Sequence, residues 1–322
     1  MLRSFYESLR RRAGDAAVHN FFKGLAAAGR LHPRARPERH GVERITDLAY
    51  RHDGTAAHRV DLYRPTQRSL PLPVVVYIHG GGFRILSKDT HWVFALMFAR
   101  QGYLVYSINY RQAPRYPFPA AVIDGCAALE WVAAHAAADG GDPSRLVLAG
   151  ESAGANLATS LTIATTYRRD EPYARRLFDL GIAIRAVLPA CGLLQVSDPL
   201  RARRGRPPTG FLADRFTEIA DDYLLGSKHA GPGQLDLADP LLFLESRVAP
   251  ERALPPFFIG VGTADPVLED SQRLQAALER LGARCETRYY EGEGHGFPAM
   301  VFRANARRYW REAHAFLAAA LA

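Results

Sequence analysis

The chain has 322 residues, 48% hydrophobic and 23% charged, a globular composition that fits one large domain or two ordinary ones and excludes a disordered or fibrous protein. The formal net charge is +8, but residues 1–45 hold ten Lys or Arg against four Asp or Glu, so the basic excess is an N-terminal feature. No run approaches the roughly 18 uninterrupted apolar residues of a membrane span.

In chain order, the first segment reads as an amphipathic helix, because Phe21, Phe22, Leu25 and Leu31 recur at helical spacing among basic residues that would form a solvated face. A nucleic-acid arm is the weaker reading, since no recognition helix, zinc finger or RNA-binding signature accompanies it. Lys23 and Arg30 interrupt the only apolar stretch that could serve as a signal-peptide core. Strands are expected at 44–50, 59–63, 74–78, 104–108, 146–149, 184–188, 257–261 and 286–290, where β-branched and aromatic residues are bounded by Gly, Pro or Asp. Residues 74–78 and 257–261 are apolar at consecutive positions, so both faces of those strands must be covered, as in a helix-flanked parallel sheet. Helical patterns at 120–138, 153–167, 271–281 and from 303 onward fall between the strands, and the alternation predicts an α/β architecture.

One connection breaks this rhythm. Roughly 65 residues separate 188 from 257, far more than a crossover helix needs. The insertion holds an Arg-rich stretch at 201–208, a helical segment at 213–225 and a Gly and Pro cluster at 231–233, and is expected to form a lid that the N-terminal segment completes. The organisation predicted is an N-terminal cap segment at 1–45, a catalytic domain at 46–194 and 251–322, and an inserted cap segment at 195–250. Cys126, Cys191 and Cys285 are odd in number and far apart, which fits buried free thiols in a reducing cytoplasm rather than disulfides or a zinc site.

Gly150-Glu151-Ser152-Ala153-Gly154 matches G-x-S-x-G, a pattern that chance produces in about one chain in twelve of this composition, so its context must decide. Apolar residues 146–149 precede it as a strand and 156–166 follow it as a helix. That is the strand-to-helix elbow that lifts a serine oxygen clear of a sheet. A serine hydroxyl needs a general base, and His295, between Gly294 and Gly296 after the last strand, is placed to reach over the sheet edge. Asp265 follows strand 257–261 at a turn and is the carboxylate expected to orient His295; Glu269 and Asp270 more plausibly open the next helix. The oxyanion needs donors, and His79-Gly80-Gly81-Gly82-Phe83 after strand 74–78 supplies them, with Gly81, Gly82 and the N–H of Ala153 forming the hole. A phosphate loop is the competing reading, but the Lys-Ser/Thr and G-x-G-x-x-G signatures are missing.

HGGGF at 79–83, YRQAPRYPFPAAVID at 110–124, GESAGANLA at 150–158, DPVLED at 265–270 and HGF at 295–297 resemble the hormone-sensitive-lipase-like esterases, bacterial lipolytic family IV. The resemblance implies an α/β-hydrolase with a helical cap that hydrolyses short-chain acyl esters without cofactor or metal. It also implies Ser152, Asp265 and His295 as triad and Gly81, Gly82 and Ala153 as oxyanion hole. The chain departs from the family at Glu151, commonly Asp, at Ala155, commonly Gly, and at Arg84, Leu86 and Arg115, where the family carries an apolar residue, a glycine and an acid. Phe83 and Arg84 are candidate substrate-binding residues; Arg84 either meets a negatively charged substrate group or points to solvent.

The function expected is a serine carboxylesterase for short- to medium-chain esters, with a small-molecule ester as its partner and neither nucleic acid nor a membrane span. An edge strand near the C-terminus would make a homodimer unsurprising. Two rivals are an arylformamidase or acyltransferase using the same triad, and a non-catalytic receptor on the same fold, a route that typically loses the histidine this chain retains. Activity is expected to fall as pH drops through an imidazole pKa of about 6 to 7.

Overall fold

A computed structural model describes residues 2–67, 69, 71–199, 210–227, 231 and 233–322; the Arg-rich stretch 201–208 and Pro232 lie outside the described residues. The elements run α1 (Leu2–Leu31), β1 (Val42–Ala49), β2 (Arg59–Pro65), β3 (Leu72–Ile78), α2 (Trp92–Ala99), β4 (Leu104–Ile108), α3 (Ala120–His135), β5 (Gly141–Glu151), α4 (Ala153–Thr166), α5 (Pro172–Asp179), β6 (Ile184–Ala190), α6 (Gly210–Tyr223), α7 (Pro240–Glu245), β7 (Phe257–Gly262), α8 (Leu268–Arg280), β8 (Cys285–Tyr290) and α9 (Ala304–Ala320). All eight expected strands and the four interior and C-terminal helices are present. The helices α2, α5 and α7 were not foreseen.

The strands form one sheet in the order β1-β2-β4-β3-β5-β6-β7-β8, antiparallel where β1 meets β2 and β2 meets β4 and parallel from there on. A pleated strand sends successive side chains to opposite faces. On β3, Val74, Val76 and Ile78 therefore join a core with α3, α4 and α8, while Val75 and Tyr77 join a second core with α2 and α9. This is the two-sided burial that the unbroken apolar runs required. From β3 the chain moves to one side for β4 and returns to the other side for β5, so the connections diverge and leave a crevice at the strands' carboxyl ends. Ile78 of β3 pairs with Gly150 of β5, which makes the loops after these two strands neighbours at that crevice.

Helix α4, which follows Ser152 directly, is buried along its whole length. A helix covered on every side cannot be strongly amphipathic, and this one is built from Ala, Ser, Thr and Leu. Its hydroxyls at Thr159, Ser160, Thr162 and Thr166 donate back to the carbonyls of Ala155, Asn156, Ala158 and Thr162, which satisfies them without water. Asn156 Nδ2 donates to the carbonyls of Leu193 and Ala238, both at 2.9 Å, and Ser160 Oγ donates to that of Leu237 at 2.9 Å.

The insertion between β6 and β7 therefore has two parts. Its later part returns to the body, with Leu237, Leu241 and Leu244 in the core shared with α4. Its earlier part carries α6 across the loop after β3. The N-terminal segment is helical, but of the four apolar residues of the expected face only Phe22 is half-buried, while Phe21, Leu25 and Leu31 are 65%, 45% and 85% exposed. The half-buried side is instead lined by small and mixed residues, where the Trp92 indole N–H donates to Ala26 O at 3.2 Å and the ring lies against Gly29. Gly29 admits the bulky indole there, whereas a larger residue would hold the helix away from it. Among the described residues no helix is long and apolar enough to cross a membrane.

Candidate active site

Ser152 sits between β5 and α4 with φ 54 and ψ −118, a backbone conformation costly for any side chain and typical of a serine turned outward at a sharp bend. The small flanking residues are a steric requirement. A Cβ on Gly150 would run into the Gly154 carbonyl, and one on Gly154 would run into the carbonyl oxygen of Ile78 on β3. The bend is held by the Ser152 N–H, which donates to Ala190 O at 3.0 Å at the end of β6.

His295 comes from the loop after β8, three strands and about 14 Å from β5. The loop bridges that gap with Gly294 and Gly296, the latter at φ 72, and brings His295 Nε2 to 2.8 Å from Ser152 Oγ. On the other side of the ring, Nδ1–H donates to Asp265, 3.0 Å from Oδ1 and 3.1 Å from Oδ2. The Asp265 carboxylate is fully buried after β7 and also accepts the Val267 N–H at 3.0 Å. Burial opposes a charge on His295, but the field and hydrogen bond of Asp265, with Glu151 behind them, outweigh it and raise the imidazole to about 9. The direction is upward from the expected value of about 6 to 7. A third of the imidazole is open to solvent, which screens that coupling in part.

The loop after β3 has four residues with left-handed backbone: Gly81 at φ 111, Gly82 at φ 60, Phe83 at φ 60 and Leu86 at φ 72. Among the described residues, the amides of Gly81, Gly82 and Ala153 donate to no backbone carbonyl outside regular structure. The strained loop is held from beneath by the 110–124 motif. Tyr110 stacks on His79 with centroids 4.4 Å apart and its hydroxyl donates to His79 O. Gln112 Nε2 donates to the carbonyls of Ile85 and Leu86, and the Ala113 N–H to that of Phe83. Burial and the neighbouring His91 push His79 down to about 3, so it stays neutral and its Nδ1–H donates to Gly80 O at 2.7 Å. Burial opposes the charge of Glu151 too, but His91, 2.8 Å away, and the Gly80 N–H hold its carboxyl below the usual range.

A family model for the alpha/beta hydrolase fold matches residues 75–299, from β3 through the loop that bears His295. The chain belongs to this family. It is 32% identical over 259 residues to the Mycobacterium tuberculosis protein named carboxylesterase NlhH, across 79% of this chain and 75% of that one. It is 30% identical over 284 residues to esterase LipI of the same organism, across 84% and 80%. Among solved structures, that of esterase LipW from Mycobacterium marinum gives a TM-score of 0.74 at 26% identity, covering 95% of this chain and 90% of that one.

In this α/β-hydrolase, Phe83 and Arg84 beside the glycine loop are placed differently from their sequence expectation. Phe83 is fully buried and stacks on Tyr223 of α6, with centroids 3.8 Å apart and planes 9° from parallel. The Arg84 side chain does not point to solvent: it is 8% exposed, 2.7 Å from Asp222 and 3.6 Å from Glu218 on α6. Leu86 keeps a left-handed backbone that glycine, the usual residue there in the resembling family, adopts at no steric cost; for leucine the conformation costs about 1 kcal/mol. Asp270, expected only to open α8, does lie in its first turn, but its buried carboxylate also accepts the N–H groups of Leu194 at 2.7 Å and Gln195 at 3.3 Å. It thereby anchors the root of the insertion, as Asp239 does through the N–H groups of Val196 and Ser197. Nothing in the local pattern around Asp239 or Asp270 distinguishes such an anchor from a helix-opening acid.

Proposed function

We propose that this chain is a serine carboxylesterase acting on short- to medium-chain acyl esters. The observation that carries the reading is the continuous relay from Ser152 Oγ to His295 Nε2 at 2.8 Å and from His295 Nδ1 to the buried Asp265 carboxylate at 3.0 Å. In the first half-reaction Ser152 Oγ attacks the ester carbonyl carbon while its proton passes to His295 Nε2. The carbonyl oxygen takes up the negative charge and is met by the N–H groups of Gly81, Gly82 and Ala153, fixed donors worth about 3 to 4 kcal/mol each in such sites. As the intermediate collapses, the leaving alkoxide takes the proton from His295 and departs as the alcohol. Water then repeats the sequence on the acyl-enzyme, giving the acid and restoring the Ser152 hydroxyl. Asp265 fixes the ring tautomer and stabilises its cation throughout. Helix α6, with α1 against it where Gly14 meets the Arg215 guanidinium, would serve as the cap.

The test is a series of p-nitrophenyl esters from acetate to palmitate, run beside labelling with a fluorophosphonate. The expected result is hydrolysis that favours the shorter chains, labelling at Ser152, and loss of both in Ser152→Ala. Hydrolysis without labelling, or labelling that survives the Ser152→Ala change, would assign the chemistry to another residue. Formamides and acceptor alcohols in the same panel separate the amidase and acyltransferase readings from ester hydrolysis.

A further inference from the structure

Arg84 lies on the loop that carries the glycine amides, two residues past Gly82, yet its guanidinium is buried away from solvent. Its partners Glu218 and Asp222 are one helical turn apart on the same face of α6. Glu218 is itself buried and is shared with Arg215, 2.5 Å away. Between these two carboxylates Ile219 rests directly on Gly82, where an added Cβ would lie 2.6 Å from its Cδ1. One turn on, Tyr223 stacks on Phe83, and its carbonyl accepts the Phe118 N–H at 2.7 Å. Residues 218, 219, 222 and 223 therefore form one face of α6 that lies on the donor loop, and Arg84 is the charged group of that loop that reaches it.

We infer that Arg84 is a positioning residue that holds α6 down as a roof over the donor loop and so sets the bulk of ester the site admits. The inference rests on the reading of the site as one that hydrolyses esters. A buried guanidinium is stable only while its carboxylates are at hand, so the Arg84 side chain ties the donor loop to Asp222 and Glu218 of α6. The contact therefore fixes the position of α6 more than it adds to the stability of the fold. Removing Arg84 takes away the charged link between the donor loop and α6, which lets the helix lift and Ile219 move off Gly82 with it. The cation is already engaged with α6, so binding a substrate carboxylate is not its role.

The test compares the full-length wild-type chain with Arg84→Leu, Arg84→Lys and Asp222→Asn. Steady-state rates are measured on p-nitrophenyl acetate and octanoate and on a p-nitrophenyl ester bearing a free carboxylate, together with amide hydrogen exchange over residues 215–223. In Arg84→Leu the octanoate-to-acetate ratio of kcat/KM should rise about tenfold, mainly through KM, and exchange over 215–223 should quicken by a similar factor. Asp222→Asn, isosteric and partly exposed, should move both readouts the same way by less, and it keeps the test available if Arg84→Leu does not fold. Arg84→Lys should retain the wild-type ratio. An unchanged ratio in both Arg84→Leu and Asp222→Asn overturns the inference, as does a selective loss of the carboxylated ester in Arg84→Leu. If the wild-type chain hydrolyses none of these esters, the functional reading falls and exchange alone decides the roof: protection retained in Arg84→Leu overturns it.

Discussion

At the ends of β3 and β5 the backbone has almost no alternative path. A methyl group on Gly154 would strike the Ile78 carbonyl, and Ser152 holds a positive φ because its flanking residues leave it that one turn. A few ångströms above, α6 meets the same loops through a stacked ring pair, one isoleucine and the ion pairs of Arg84, all of them side-chain contacts that another sequence could replace. The donor loop and the elbow are thus specified by steric exclusion within the main chain, and the roof by complementarity between side chains distant in sequence. If the proposed chemistry resides in the rigid part and selectivity in the replaceable part, substitutions in the two regions should differ in kind.

The largest effect belongs to the rigid part. Asp265→Asn preserves shape but presents the wrong group to His295 Nδ1, and kcat on p-nitrophenyl acetate should fall by about 10⁴-fold. A loss under tenfold would mean that the carboxylate only supports the loop. The pH profile comes next. His295 must be neutral at Nε2 to accept the serine proton, so activity is lost as pH falls through its pKa. With the imidazole raised towards about 9, kcat/KM should still be climbing, up to about tenfold per unit, above pH 7. Stability runs the other way: the charged pair with Asp265 contributes fully below pH 6.5, and that contribution is lost as pH rises through about 9. Thermal melts across pH 6 to 9 should therefore show a declining Tm where the rate increases, and a plateau in rate from pH 7 with flat Tm would refute the shift.

A comparison of two glycines sharpens the contrast itself. Gly154→Ala drives a Cβ into main-chain atoms that cannot move aside, and should cost about 2 to 4 kcal/mol in a denaturant titration. Gly82→Ala adds the left-handed strain of about 1 kcal/mol, but its Cβ meets only the flexible end of Ile219, which can shift with α6. Equal losses at the two glycines would mean that the roof is as rigid as the sheet.

The candidate site and its scaffold were legible in the chain to different depths. Ser152, Asp265 and His295 were named from a strand, a turn and a Gly-flanked loop, and the fold brings their polar atoms within hydrogen-bond reach. Helix α2 was missed because Trp92–Ala99 is apolar all round: it packs between the sheet and α9, with Phe98 edge-on to Trp310 at 5.1 Å, so no period marks it. Helices α5 and α7 are eight and six residues long, too short for a pattern to stand out. The exposure of Phe21, Leu25 and Leu31 was misread for a related reason: helical spacing says which residues share a face but not which face meets the body.

By itself the sequence determined whatever depends on the backbone of a few consecutive residues: the strand runs, the elbow, the glycine loop and the turn after each carboxyl-end strand. There the choice of Gly, Pro or β-branched residues restricts the allowed conformations directly. Tertiary structure alone decided the strand order that puts β3 beside β5, the raised proton affinity of His295, and the burial of Arg84 between two acids of α6. Each of these depends on which distant groups become neighbours, and a charged residue carries no local mark of the partner it will meet.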